Sequence, residues 1–124
     1  MIDFRNGCLI KLKKNDGFPH IEDIRPLLVA GEELIYEYQA IRDYVVFTTK
    51  RVIAVNVQGV TGKKKDFSTL PYSRIQAYSV ETSGVLDLDA ELELYFSSLG
   101  QVTFEFSFAS DVMEIQRAIA EHIF

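Results

Sequence analysis

Two charged clusters are dense enough to suggest chemistry. The first is GVTGKKK, residues 59–65, which carries Lys63, Lys64 and Lys65 in succession. A phosphate-binding loop needs G-x-x-x-x-G-K-[ST] between a strand and a helix. Here the glycines are three apart, Lys64 stands where a hydroxyl is required, and the following KKKDFSTL reads as a strand. Gly59 and Gly62 suit a chain reversal instead. On a strand, Lys63 and Lys65 share one side and Lys64 takes the other, so the three do not converge on one anion. Three readings stay open: a solvated turn whose lysines protect a strand edge, a contact with an acidic protein surface, and a contact with anionic lipid.

The second cluster is DLDAELE, residues 87–93. Extended, it places Asp87, Asp89, Glu91 and Glu93 on one side, about 6.5–7 Å apart. Calcium requires six to eight oxygens wrapped around it, and the twelve-residue calcium-loop pattern puts Leu92 at its glycine position and Ser98 at its last ligand. An acidic solvent face or subunit surface is therefore expected. His20 follows Pro19 at a helix start, and His122 lies near the chain's last helical turn; neither stands in a nucleophile–base motif. Cys8 is the only cysteine, which excludes an intrachain disulfide and leaves a small, semi-buried side chain. Tyr72 and Tyr78 read as amphipathic core or interface residues. No catalytic residue, cofactor or metal is expected.

The elements that must position these clusters belong to one domain-sized chain of 124 residues, 48% hydrophobic and 25% charged. No apolar run reaches the roughly 18–20 residues of a membrane span. The first residues also lack the apolar core of a secretory signal, so a cytoplasmic protein is expected. The net charge of −5 argues against general nucleic-acid binding. Its distribution is polarised. Residues 42–74 carry seven basic side chains against two acidic ones, whereas residues 75–124 carry one basic against nine acidic.

Asn6-Gly7 is a turn dipeptide, and the alternation of Cys8, Ile10 and Leu12 suggests a short edge strand or arm. Ile21, Ile24 and Leu28 have helical spacing, but Pro26 cannot donate a backbone hydrogen bond, so two short turns ending at Gly31 are expected. From Glu33 the period becomes two. ELIYEYQA, YVVFT, RVIAVNV, KKKDFSTL, SRIQAYSVE, DAELELYF and QVTFEFSF make seven strands in a meander. Thr49-Lys50 is short enough for a hairpin turn. In the last hairpin, matching the apolar faces requires an odd loop. A loop Ser98-Leu99-Gly100 pairs Leu94 with Phe104 and sets Glu93 opposite Glu105, an arrangement of like charges that invites a cation. The chain closes with an amphipathic helix. Ser110 or Asp111 is its N-cap, and Val112, Ile115, Ile119 and Ile123 lie on its apolar side.

The strings RDYVVFTTKRVIAV (42–55), QGVTGKKKDF (58–67), LPYSRI (70–75) and VETSGVLDLDAELEL (80–94) resemble the bacterial pleckstrin-homology-like domains and, more distantly, GRAM domains. The resemblance spans roughly residues 32–123. It implies a mainly β fold: a seven-stranded, bent antiparallel barrel or sandwich capped by one C-terminal helix. Residues 1–31 then form an extension and 32–124 the PH-like domain. It further implies a scaffold without an active site, in a family whose bacterial members resemble self-associating, often ring-forming domains. Eukaryotic relatives bind inositol phosphates through basic residues in the first strand–strand loop. Here that loop offers only Arg42 beside Asp43, and the tryptophan of their terminal helix is absent, so this specificity does not transfer.

The resulting expectation is a non-enzymatic domain that associates with itself, or with another protein, head to tail. Arg42, Arg51, Lys63, Lys64 and Lys65 form one pole; Glu91, Glu93 and Glu105 form the other. Such heterologous contacts close into rings or extend as filaments. Docking on an anionic membrane through Lys63–Lys65 is the alternative, and nucleic acid is not expected as a partner.

Overall fold

A computed structural model describes residues 1–4, 9–82, 89–107 and 112–123. The Asn6-Gly7 turn, Cys8, Asp87 and the proposed N-cap Ser110 or Asp111 lie outside the described residues.

All seven expected strands form: β2 (Leu34–Gln39), β3 (Tyr44–Thr48), β4 (Arg51–Gln58), β5 (Lys64–Pro71), β6 (Ile75–Glu81), β7 (Ala90–Phe96) and β8 (Gly100–Phe106). An eighth precedes them, β1 (Leu9–Lys14), and it corrects the reading of an edge strand or arm. The sheet order is β5-β4-β3-β2-β1-β8-β7-β6, so β1 is interior and joins two antiparallel meanders. It pairs antiparallel with β2 through Lys13–Gln39 and Lys14–Tyr38, and parallel with β8 through Leu9–Phe104 and Leu12–Phe106. A register shift on the β8 side accompanies a left-handed backbone at Lys11, φ +55°. Between these pairings Leu12 is fully buried.

The pairing does not close the sheet into a complete barrel. β5 and β6 are its edges, although a 3-10 turn, Tyr72–Arg74, leads directly from one to the other. A groove of about 830 Å³ remains beside that corner, between residues 1–4, the end of β5 and loop 97–99.

Two cores explain the hydrophobic pattern. Inside the bent sheet, Val45, Phe47, Val52 and Ala54 meet Leu92, Leu94, Phe104 and Phe106. Tyr38 abuts Phe106 edge-on at a centroid distance of 4.8 Å. Outside the sheet, Tyr44, Val46, Ile53 and Val55 form a second core with Ile24. This outer layer comes from the N-terminal extension: α1 (Ile21–Ile24) and a 3-10 turn (Arg25–Leu27) with Pro26 near its start, as the proline requires. Every residue of β3 is consequently buried. A strand covered on both faces has no need to alternate, which is why YVVFT reads as a continuous apolar run. The helix α2 (Val112–Ile123) buries Val112, Ile115 and Ile119, the stripe expected from its spacing. Each such side chain contributes about 1.5–3 kcal/mol of burial.

The last hairpin keeps the expected faces, but its register differs by two residues. Phe96 pairs with Gly100, Leu92 with Phe104 and Glu91 with Glu105, so the loop is 97–99. Parity requires only an odd loop, and both registers satisfy it. Gly100 does adopt the left-handed conformation, φ +90°, but as the residue that pairs with Phe96.

Candidate interaction surfaces

The basic residues divide into three environments. Arg42 lies in the β2–β3 turn and donates through Nη2 to the Gly59 carbonyl in the β4–β5 turn, tying the two hairpin tips together. Beside this tie, Ile41 and Val60 are 99% and 105% exposed. Lys63 and Lys64 are exposed next to them, and the strand begins at Lys64. Gly62 makes the reversal at φ +70°, and a Cβ there would stand 3.5 Å from Arg42 Nη2.

Lys65 behaves differently. Its ammonium donates to Asp23 Oδ2 at 3.1 Å and so fastens β5 to the extension. This contact, and the phenol of Tyr44 donating to the same carboxylate at 3.0 Å, hold Asp23 below the usual carboxylate range against the opposing effect of burial.

Arg51 is partly buried. Its Nε and Nη2 each reach Glu32 at 2.9 Å, Nη2 also donates to the Leu27 carbonyl, and Nη1 donates to Thr69 at 3.2 Å. The Glu32 side chain is 0% exposed. Burial alone would raise its pKa, but the Arg51 and Thr48 hydrogen bonds outweigh that and lower it. Four of the five guanidinium N–H groups are thereby committed internally, so the Arg51 placed among the basic docking residues is instead a clamp between extension and barrel.

A second buried carboxylate, Glu37, accepts from Asn15 Nδ2 and contacts His20 Nδ1 at 2.8 Å. The His20 ring stacks on Tyr44 at 3.8 Å, 8° from parallel. Residues far apart in sequence thus fix the extension on β2 and β3. His122 Nδ1 lies 2.6 Å from the Ala118 carbonyl within its own helix. Tyr72 is buried and donates to the Thr48 carbonyl at 2.7 Å, and Tyr78 accepts from Gln116 at 3.4 Å. Among the described residues, no three His, Cys, Asp or Glu side chains are grouped as metal ligands.

The acidic pole assembles across three strands. Glu91 pairs with Glu105 on one side and with Glu81 on the other, so three carboxylates stand abreast on the outer face of β6, β7 and β8. Glu93 lies two residues along, accepting from the Tyr95 phenol at 2.8 Å. Partial burial first, then the charges of Glu81, Glu105 and Glu93, push the Glu91 pKa up. Glu81 was absent from the sequence-derived set, although period two in SRIQAYSVE places it on the outer face. In the sheet order four strands separate β5, with its lysines, from the β8–β7 hairpin.

An open, strongly bent sheet of two meanders with a terminal helix is the architecture of a pleckstrin-homology-like domain. The chain belongs to the bacterial PH domain family, whose model matches residues 3–123. It is 40% identical over 101 residues to the uncharacterised Bacillus subtilis protein YjqA, covering 80% of this chain and 81% of the relative. A DUF1696 family protein with a PH domain from Shewanella loihica is similar in structure, with a TM-score of 0.78, 35% identity and coverage of 93% of this chain and 99% of that one. A PH domain from Shewanella amazonensis has a TM-score of 0.63 and 40% identity, over 84% of this chain and 85% of that one. No helix among the described residues is long and apolar enough to cross a membrane.

Proposed function

We propose that the protein is a non-enzymatic scaffold whose copies associate head to tail, the lysine-bearing tip of one meeting the glutamate face of the next. The observation that carries this reading is the row Glu81–Glu91–Glu105, aligned on neighbouring strands. Like charges directly opposed across strands are destabilising, and a cationic surface laid over them reverses the sign. Lys63 and Lys64, exposed on a tip braced by Arg42, supply that surface. Arg51 and Lys65 take no part, because their charges are used within the fold. Electrostatics of this kind sets register and encounter rate. Light scattering across a salt series tests the reading. Assemblies larger than 14.1 kDa that shrink as salt rises, and that are lost in K63E/K64E at low salt, are expected. A mass independent of ionic strength rejects it.

A second reading rests on Ile41 and Val60, two nearly fully exposed aliphatic side chains on adjoining tips beside Arg42, Lys63 and Lys64. Inserted into an anionic bilayer surface, each aliphatic chain contributes up to about 1.5–3 kcal/mol and each cation about 1 kcal/mol. Flotation with phosphatidylserine-containing vesicles, but not with phosphatidylcholine alone, is its expected outcome. Binding indifferent to anionic lipid, or unchanged in I41D/V60D, removes it.

A further inference from the structure

The unclosed corner between β5 and β6 brings apolar side chains of the inner core to the wall of a groove. Phe4, Leu70 and Phe96 belong to that core, and with Leu99, which packs against it half-buried, they line the space of about 830 Å³. Clefts that hold small ligands measure ~300–1,000 Å³ and combine mostly apolar walls with a few polar groups that fix orientation. One side chain of the lining is a guanidinium, Arg74, in the 3-10 turn that leads into β6. It is exposed, and among the described residues no hydrogen bond or ion pair engages it. Arg25, Arg42 and Arg51, by contrast, each donate within the fold. The Met1 ammonium, which also borders the groove, is paired with Asp66 at 2.8 Å.

We propose that this groove binds a linear aliphatic carboxylate, its hydrocarbon chain against Phe4, Leu70 and Phe96 and its carboxylate paired with Arg74. The walls select hydrocarbon, because water against apolar side chains finds few hydrogen-bond partners there and is released when a chain replaces it. The guanidinium selects the headgroup, since its planar fork presents two parallel N–H donors to the two oxygens of a carboxylate. Charge sets the limit. Asp3 also lines the groove, so the lining sets one uncommitted cation against a carboxylate of its own, which disfavours a doubly charged phosphate. Arg74 is exposed, so its ion pair is weakened by solvent. Burial of the chain then supplies most of the affinity, and Arg74 sets which end faces outward. Neither Lys63 and Lys64 nor the glutamate row lines the groove, which makes this site separate from the head-to-tail contact.

Calorimetric titration with decanoate, octanoate and decanol tests this, with amide chemical shifts locating the site. Decanoate is expected to bind saturably, shifting residues 1–4, 69–71 and 97–99. Each methylene buried changes affinity about fourfold, so octanoate should bind about tenfold more weakly. Decanol, which lacks the charge, should also bind about tenfold more weakly. R74Q is expected to weaken decanoate about tenfold and to leave decanol within about twofold, a split that a merely structural role of Arg74 would not produce. L99D, which sets a negative charge in the groove, should abolish decanoate binding in a protein that is folded by circular dichroism. Decanol bound as tightly as decanoate, decanoate indifferent to R74Q, or shifts confined to other residues overturns the proposal. So does the absence of saturable binding. Shifts of the same residues on raising protein concentration without ligand assign the groove to a second copy and overturn it too. Should L99D fail to fold, R74Q at its exposed position decides.

Discussion

Replacing Glu91 by glutamine should stabilise the isolated protein and weaken its assembly, two effects of opposite sign from one nearly isosteric change. Glu91 is flanked on adjacent strands by Glu81 and Glu105, with Glu93 close by, and its pKa is raised by burial and by those charges. Each directly opposed like-charge pair costs roughly 0.2–1 kcal/mol, so removing two relieves about 0.4–2 kcal/mol. With an unfolding entropy of ~2.1 cal/mol/K per residue, a chain of 124 residues changes its Tm by about 4 °C per kcal/mol, and E91Q should melt about 2–8 °C higher. The pH dependence has a matching sign. A carboxyl whose folded pKa lies above its unfolded value binds more protons folded than unfolded, so its penalty is absent below the ordinary glutamate range. The penalty then grows as pH rises to the elevated value and is complete above it. E91Q should remove that decline. In low-salt light scattering the same variant should need several-fold more protein to assemble. A lower Tm, or assembly unaffected or strengthened, would refute the argument that this face is strained in isolation and relieved by a cationic neighbour.

The clamp is the most costly place to break the fold. R51A leaves Glu32 buried without its bidentate partner, a loss of about 3–5 kcal/mol, and thermal melting should drop by more than 10 °C at ~4 °C per kcal/mol. Because Glu32 is held below the ordinary range, its contribution is full above that range and is lost as pH falls through the depressed value, so R51A should also flatten the acid limb of stability against pH. H20A removes the imidazole from buried Glu37 and from its stack on Tyr44. A cost of about 2–3 kcal/mol is expected, with faster amide exchange at residues 20–24. Y72F deletes the buried hydrogen bond to the Thr48 carbonyl and should cost about 1–2 kcal/mol by chemical denaturation.

The alternating strands β5, β7 and β8 and the apolar stripe of α2 could be read directly from periodicity, because each buries one defined face against the inner core. What the extension does could not be read. Pro26 and the spacing of Ile21, Ile24 and Leu28 announce short turns, but nothing local reports that α1 covers β3 and β4. The trace of that cover is the lack of alternation in YVVFT and in VIAV of β4. The interior position of β1 depends on pairings with Phe104 and Phe106, more than ninety residues downstream, and such non-local contacts leave no mark on a six-residue string. The hairpin register failed for a different reason. Alternation fixes which side a residue faces and says nothing about a slide of two, so Glu105 meets Glu91 rather than Glu93. The same ignorance of tertiary partners put Arg51 on the surface. Its neighbours in sequence are those of an exposed hairpin, and its acceptor lies nineteen residues upstream.

The outer core bears directly on where partners dock. By covering β3 and β4 from outside, the extension removes that face of the sheet from contact with anything else. The outer face of β6, β7 and β8 stays uncovered at Gln76, Ala77, Ser79, Glu81 and Gln101, and the row Glu81–Glu91–Glu105 stands there. A protein selected for monomeric stability alone has no reason to align three carboxylates in one row, since glutamine at the middle position retains the strand and loses the repulsion. In the proposed association the free face is transient, and a basic surface laid over it reverses the sign of that repulsion. In the head-to-tail association proposed above, Lys63 and Lys64, exposed on the tip of the other meander beside Arg42, are the cations that a neighbouring copy brings to the row.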